Sequence, residues 1–220
     1  FSIKCFSQTN TVDSSDFIMF FDINAGYNMP AADMADRFGL NSIVGAGFNL
    51  KTKQNWTFGC SYNYFFGDDV KDENQYLSSI LTNEGVIIDG NGQYAEINLM
   101  ERGWNAYLKL GKIIPVTKNR NSGIWINSGI GILQHKILIN NPLNIAPQIK
   151  GDYKKGYDKL SNGLALNQFI GYVWINKKNI FNTYVGLEVS AAWTENRRSW
   201  DYILAKKFEE KRFDVIFGIK

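Results

Sequence analysis

Long hydrophobic runs are missing from this chain. Of its 220 residues 45% are hydrophobic, yet no stretch reaches the roughly 18 to 20 apolar residues that a membrane-spanning helix needs. Strands that cross a bilayer in a closed barrel leave a much weaker signal, so the absence excludes helical spans and nothing more. Cysteine is scarce, and Cys5 and Cys60 make no disulfide framework. One histidine, His135, limits the means for acid–base chemistry. An excess of either charge is also lacking: 24 Lys and Arg against 21 Asp and Glu leave a formal +3, too mild to suggest nucleic-acid binding. No metal-ligand cluster, phosphate-cradling glycine loop or nucleotide motif stands out, so no cofactor or metal is expected.

What is present is alternation. In Trp56–Phe66, the residues Trp56, Phe58, Cys60, Tyr62, Tyr64 and Phe66 share one parity, and Thr57, Gly59, Ser61 and Asn63 share the other. A strand points successive side chains to opposite faces, which makes one face aromatic and the other small and polar. Soluble half-buried strands seldom turn Gly, Ser and Asn toward a core that must be filled. In a transmembrane barrel the apolar face meets lipid and the polar face meets the lumen.

The same two-residue period recurs along the chain. Strands are expected over Phe17–Asn28, Ser42–Leu50, Trp56–Phe66, Tyr94–Lys112, Gly123–Ile139 (even positions outward), Leu164–Trp174, Phe181–Trp193 and Arg212–Lys220. Pro30 and the segment to Gly39 read as a loop, and a short helix is expected within Asn74–Leu81. Connections begin short near Lys51, Pro115 and Asn176, and long near Pro30, Gly67, Asn140 and Thr194. These features give an all-β fold: an up-and-down antiparallel transmembrane β-barrel of about eight strands, with short periplasmic turns and long extracellular loops. It occupies residues 17–220, and residues 1–16 form a lead. Within that lead, Cys5 and Ser7 before Gln8 resemble the tail of a secretory signal cleaved after Ser7.

Two aromatic belts are expected where rings prefer the headgroup level. Trp56, Trp125 and Trp174 fall near the periplasmic ends of their strands; Tyr27, Tyr64, Phe66 and Trp193 fall near the extracellular ends. Trp104 and Trp200 fit neither belt. The inward parity carries Asp22, Glu101, Lys109, Glu188, Arg212 and Asp214. Buried charges must be paired, which predicts an ion-pair network inside the barrel. Because the first and last strands become neighbours on closure, Asp22 and Arg212 are expected to pair. Extracellular Lys150, Lys154, Lys155 and Lys159, with Arg197, Arg198, Lys206 and Lys207, could meet lipopolysaccharide phosphates or be solvated loop residues.

The sequence resembles the small outer-membrane β-barrels of Gram-negative bacteria, the OmpA-transmembrane and OmpW-like class. Its Asn- and Lys-rich turns and its Gly218-Ile219-Lys220 ending are similar to barrels of the Bacteroidota, small secretion-machinery barrels of the PorG type among them. The last residue departs from the aromatic that usually ends such strands, although Phe217 is close. The resemblance implies an outer-membrane location, with lipid, lipopolysaccharide and other envelope proteins as partners. It also implies a non-enzymatic structural or docking role. The alternatives are a narrow channel for small or apolar solutes and a lipid A-modifying enzyme built on His135. The sequence after that histidine lacks the serine two residues on that such deacylases carry, and a structural or surface histidine near a loop is the expectation.

Overall fold

The computed structural model describes residues 15–142, 146–175, 182–207 and 209–220. The proposed cleavage after Ser7, Cys5 and the turn over Asn176–Asn179 lie outside them. The chain runs through β1 (Ile18–Ala32), β2 (Asn41–Lys51), β3 (Trp56–Gly67), a short helix α1 (Glu73–Leu77), β4 (Ile87–Ile88), β5 (Tyr94–Ala95), β6 (Asn98–Pro115), β7 (Gly123–Asn140), β8 (Ser161–Trp174), β9 (Thr183–Asn196) and β10 (Lys211–Ile219). All strands but β4 and β5 join one antiparallel up-and-down sheet, and β10 pairs back onto β1 to close it into a ring. The strands β4 and β5 form a separate small ribbon.

The register fixes the geometry. Stepping from partner to partner, Phe21 leads through Phe48, Cys60, Leu108, Ile130, Leu166, Ala191 and Val215 to Ala31. One circuit therefore climbs β1 from Phe21 to Ala31, a stagger that tilts the strands by about 40° from the ring axis. Every residue on that path lies on the outer parity. On β1 the outward Phe21 and Ile23 are 84% and 90% exposed, whereas the inward Phe20, Asn24 and Asn28 are buried. Glycine makes room inside: a Cβ on Gly47 would sit 2.5 Å from Asp22 Oδ1, and one on Gly103 would collide with the Phe65 ring.

Several boundaries differ from the sequence reading. The strand β1 continues through Pro30 to Ala32. Beyond Asn28 only β10 pairs with it, so Pro30 occupies a stretch with a free edge, where a missing N–H costs little. It ends at Ala32, whose φ of 51° turns the chain out of the sheet. The helix is confined to Glu73–Leu77, and Tyr94 belongs to the small ribbon rather than to β6. Strands β8 and β9 extend toward the long connections as far as Ser161 and Asn196.

Two apolar clusters close the interior. At the end carrying the connections 52–55, 116–122 and 175–182, Phe20, Ile113, Trp125, Phe169, Val173 and Ile175 pack together. Trp125 meets Phe20, Phe169 and Tyr184 edge-on, at ring separations of 6.2, 5.5 and 5.5 Å, and its Nε1 donates to Thr57 Oγ1 at 3.0 Å. This corrects the expectation that Trp125 belongs to an outer aromatic belt: its odd position on β7 points inward, and it is 4% exposed. At the opposite end the long connections fold onto the ring mouth. Met34, Phe38, Val70, Leu77, Ile87, Ala146 and Ile149 from the loops join Phe65, Leu133, Ile137 and Ile139 from the strands.

Replacing Trp125 with Ala removes one of the largest buried rings and the donor to Thr57. The expected cost is about 3–5 kcal/mol of unfolding free energy in detergent; a loss below about 1 kcal/mol would contradict this packing.

Candidate functional site

The interior is the first region where chemistry could reside. Below the Trp125 cluster, Lys51 Nζ donates to Ser15 Oγ at 2.7 Å, to the Asp16 carbonyl at 3.1 Å and to Asn121 Oδ1 at 2.8 Å. These bonds cap the ring with part of the N-terminal lead. Above the cluster comes a charged layer. Glu188 on β9 receives Lys109 Nζ from β6 at 3.4 Å and the Lys220 ammonium from the end of β10. Asp22 on β1 accepts from Asn49 Nδ2 at 2.6 Å and from the Tyr184 hydroxyl at 3.1 Å. The space left among Asp22, Lys109, Glu188 and Lys220 is about 20 Å³, room for about one water.

Higher in the ring, amides replace charges. Asn63 Nδ2 donates to Asn105 Oδ1 at 2.6 Å, and Asn167 Nδ2 donates to Ser190 Oγ at 2.9 Å. Then follows a second charged group beneath the loops. His135 Nε2 lies 2.9 Å from Asp214 Oδ2, which also accepts from the Thr194 hydroxyl, and Arg212 Nε is 3.4 Å from Asp214 Oδ1. Glu210 bridges Arg212 at 3.0 Å and Arg37. Asn41 Nδ2 donates to Glu101 Oε2 at 2.9 Å. On the loop side, burial lowers the pKa of the Arg37 guanidinium, and neighbouring Arg212 lowers it further, while Glu210 opposes both. Burial likewise raises the Tyr76 hydroxyl, against the pull of Arg37.

The six inward charges of the sequence reading thus fall into separate groups. Lys109 with Glu188 and Arg212 with Asp214 form ion pairs; Asp22 and Glu101 are held by amides or a phenol. The expected Asp22–Arg212 pair does not form. The stagger of the ring sets Asp214 opposite Ala32, and Tyr27 is already opposite Ile219, so Asp22 and Arg212 lie at opposite ends of the wall. His135 is 0% exposed, which corrects the surface alternative for this residue; the Phe38 ring lies edge-on at 5.5 Å. Thr194, the hydroxyl nearest to this pair by hydrogen bonding, is bonded to Asp214. Among the described residues no cluster of three His, Cys, Asp or Glu side chains could hold a metal ion.

Sequence reasoning missed Lys220, Lys51, Arg37 and the interior amides, although Lys220, Asn63 and Asn105 sat on the inward parity. Of the basic loop, Lys150 and Lys155 are exposed and Lys154 is half-buried. Lys155 pairs with Asp152 at 2.7 Å. Lys159 is 8% exposed and pairs with Asp201, so it is a structural cation and not part of a solvated basic patch. Its neighbour Asp158 takes Arg198, whose pKa is raised chiefly by that hydrogen bond.

The outer wall is the second region. Between Arg102 and Lys112 on β6 the outward residues are Trp104, Ala106, Leu108 and Leu110. The other strands add outward Phe21, Ile23, Phe48, Tyr62, Ile130, Leu166, Leu187 and Phe217. The outward Tyr27, Tyr64, Phe66 and Trp193 lie toward the loop end; Trp56 and Trp174 lie toward the turn end, where Lys112 Nζ stands 5.0 Å from the Trp56 ring centre. Polar outward groups within this band are few, Ser128 with Gln168 across the β7–β8 pairing being one pair.

Glu188→Ala leaves Lys109 and Lys220 facing each other without a carboxylate, for an expected loss of about 3–5 kcal/mol in unfolding. Adding Lys109→Met should recover part of that loss, and no recovery would mean that Glu188 stabilises by packing alone. No family model matches the chain, and no curated protein matches it.

Proposed function

We propose that the chain is a non-enzymatic integral outer-membrane β-barrel, acting as a structural or docking component of the cell envelope. The observation that carries this reading is the outer wall. From the level of Lys112 to that of Arg102 no outward side chain on the described strands is charged. Along β6 that interval spans about 33 Å, and a tilt of about 40° brings it to about 25 Å of height. This matches the apolar band of outer-membrane barrels. A soluble barrel would bury such a surface rather than expose it. With this orientation the short connections face the periplasm and the folded loops face outward.

A docking role is supported by the loop side. Its connections have a core of their own, and they present exposed Tyr153, Trp200, Tyr202 and Leu204. Tyr202 packs against Tyr153 and Tyr157 at 6.5 and 5.5 Å, which gives a rigid aromatic platform of the kind partners anchor on. The channel alternative has little support in a lumen filled by paired side chains between two apolar plugs. The enzyme alternative has little in a histidine sealed under Phe38.

Refolded protein should float with phosphatidylcholine vesicles and resist alkaline extraction, and planar-bilayer recordings should show no unitary currents. Recovery in the aqueous fraction without detergent would overturn the membrane reading; stable currents would restore the channel. His135→Ala should leave the lipid A mass profile unchanged, and an altered profile would restore the enzyme.

A further inference from the structure

Two outward cations face each other across the β6–β7 pairing at the top of the apolar band: Arg102 is the register partner of Lys136. Directly opposed like charges repel across a sheet and are destabilising. Neither forms an ion pair among the described residues. Arg102 Nη1 donates to the carbonyls of Gly67 at 3.3 Å and Glu101 at 2.6 Å, and Nη2 lies 3.2 Å from Met100 Sδ. Asp68 lines the same shallow depression, beside Tyr27 and Phe66, without bridging to the guanidinium. The pair is therefore a cationic seat on the outer face, with its guanidinium turned toward Gly67.

Below it on the same wall runs an apolar groove of about 560 Å³. Its floor is made of small residues, Ala46, Cys60 and Ala106, and its flanks include Phe48, Tyr62 and Ile130. Tyr62 is the register partner of both Ala46 and Ala106, and Trp104 stacks on Tyr62 at 5.9 Å, filling the interval between the groove and the cations. From Arg102 to Ala106 the strand covers about 13 Å, which keeps the groove within the roughly 15 Å tail region of one leaflet below the headgroups.

We infer that this wall binds one anionic acylated lipid, its phosphate against Arg102 and Lys136 and an acyl chain in the Ala46–Cys60–Ala106 groove. The inference rests on the membrane reading. Guanidinium and ammonium groups both bind phosphate strongly, the first through paired donors and the second as a point charge. A zwitterionic lipid with the same chains fills the groove equally well, but its choline cation offsets the attraction of the seat. A free phosphate ion gains nothing from the groove, and the lipid is therefore the committed ligand.

The test uses the full chain in nanodiscs of equimolar phosphatidylglycerol and phosphatidylcholine with identical acyl chains, followed by mild detergent extraction and native mass spectrometry of retained lipid. The wild type should retain phosphatidylglycerol about tenfold over phosphatidylcholine, the ratio for one net charge-assisted contact. Lys136→Gln alone, and Arg102→Gln with Lys136→Gln, should bring the ratio toward one. Ala106→Trp should lower retention of both lipids with the ratio kept. Lys112→Gln, at the opposite rim, should leave the ratio unchanged. A wild-type ratio near one, or an equal change with Lys112→Gln, overturns the site. Flotation with vesicles separates the two claims: a chain that floats but shows no preference loses only the site, whereas one that does not float loses the membrane reading and the site together.

Discussion

A ring of eight tilted strands leaves an interior about as wide as the side chains that fill it. Every inward group must then find its partner among other inward groups, because there is no water column to supply one. The sequence answers this with short polar residues and glycine on the inward parity. The charged inward side chains are spaced so that most of them meet a complement, whereas Glu101 Oε1, Tyr107 Oη and His135 Nδ1 are buried without a hydrogen-bond partner among the described residues. Asp22 fits because Gly47 stands opposite; Phe65 fits because Gly103 does. The outer face then carries whatever apolar surface the ring does not use internally.

That constraint also orders the interior along its axis. Ion pairs occupy two levels, around Glu188 and around Asp214, with an amide layer between them and an apolar plug beyond each. The plugs keep bulk water from the Glu188 group and from the His135–Asp214 pair, although space for about one water remains beside Glu188. Exclusion strengthens each pairing but raises the cost of breaking it. Glu188 between Lys109 and Lys220 shows both sides of this, since one carboxylate holds two ammonium groups that would otherwise repel. The first long connection is tied into this interior: Arg37 pairs with Glu210 beside β10 and donates to Ser161 on β8 at 3.3 Å.

Parity was legible in the chain because it is local: a residue's face follows from its neighbours, and the strands were found by it. Height and stagger were not. Distance from the strand end puts Trp125 in a belt, whereas its odd position on β7 turns it inward. The Asp22–Arg212 pair failed because closure joins the strands with the offset that carries Phe21 to Ala31, and no single strand encodes that offset. Lys159 looked like one of several loop lysines; only the fold brings Asp201 to it. The loop core was hidden for a similar reason. Phe38, Val70, Leu77 and Ile149 are scattered through polar stretches whose shared contact is tertiary.

A bilayer around the ring requires Cys60, on the outer parity of β3, to face acyl chains. A bimane fluorophore on Cys60, in a Cys5→Ser chain reconstituted in vesicles, would sit at mid-height on the wall. Lipids bearing a nitroxide midway along the acyl chain should quench it strongly, and aqueous iodide should leave it bright. Quenching by iodide with no effect of the nitroxide lipids would place that face in water and contradict the account.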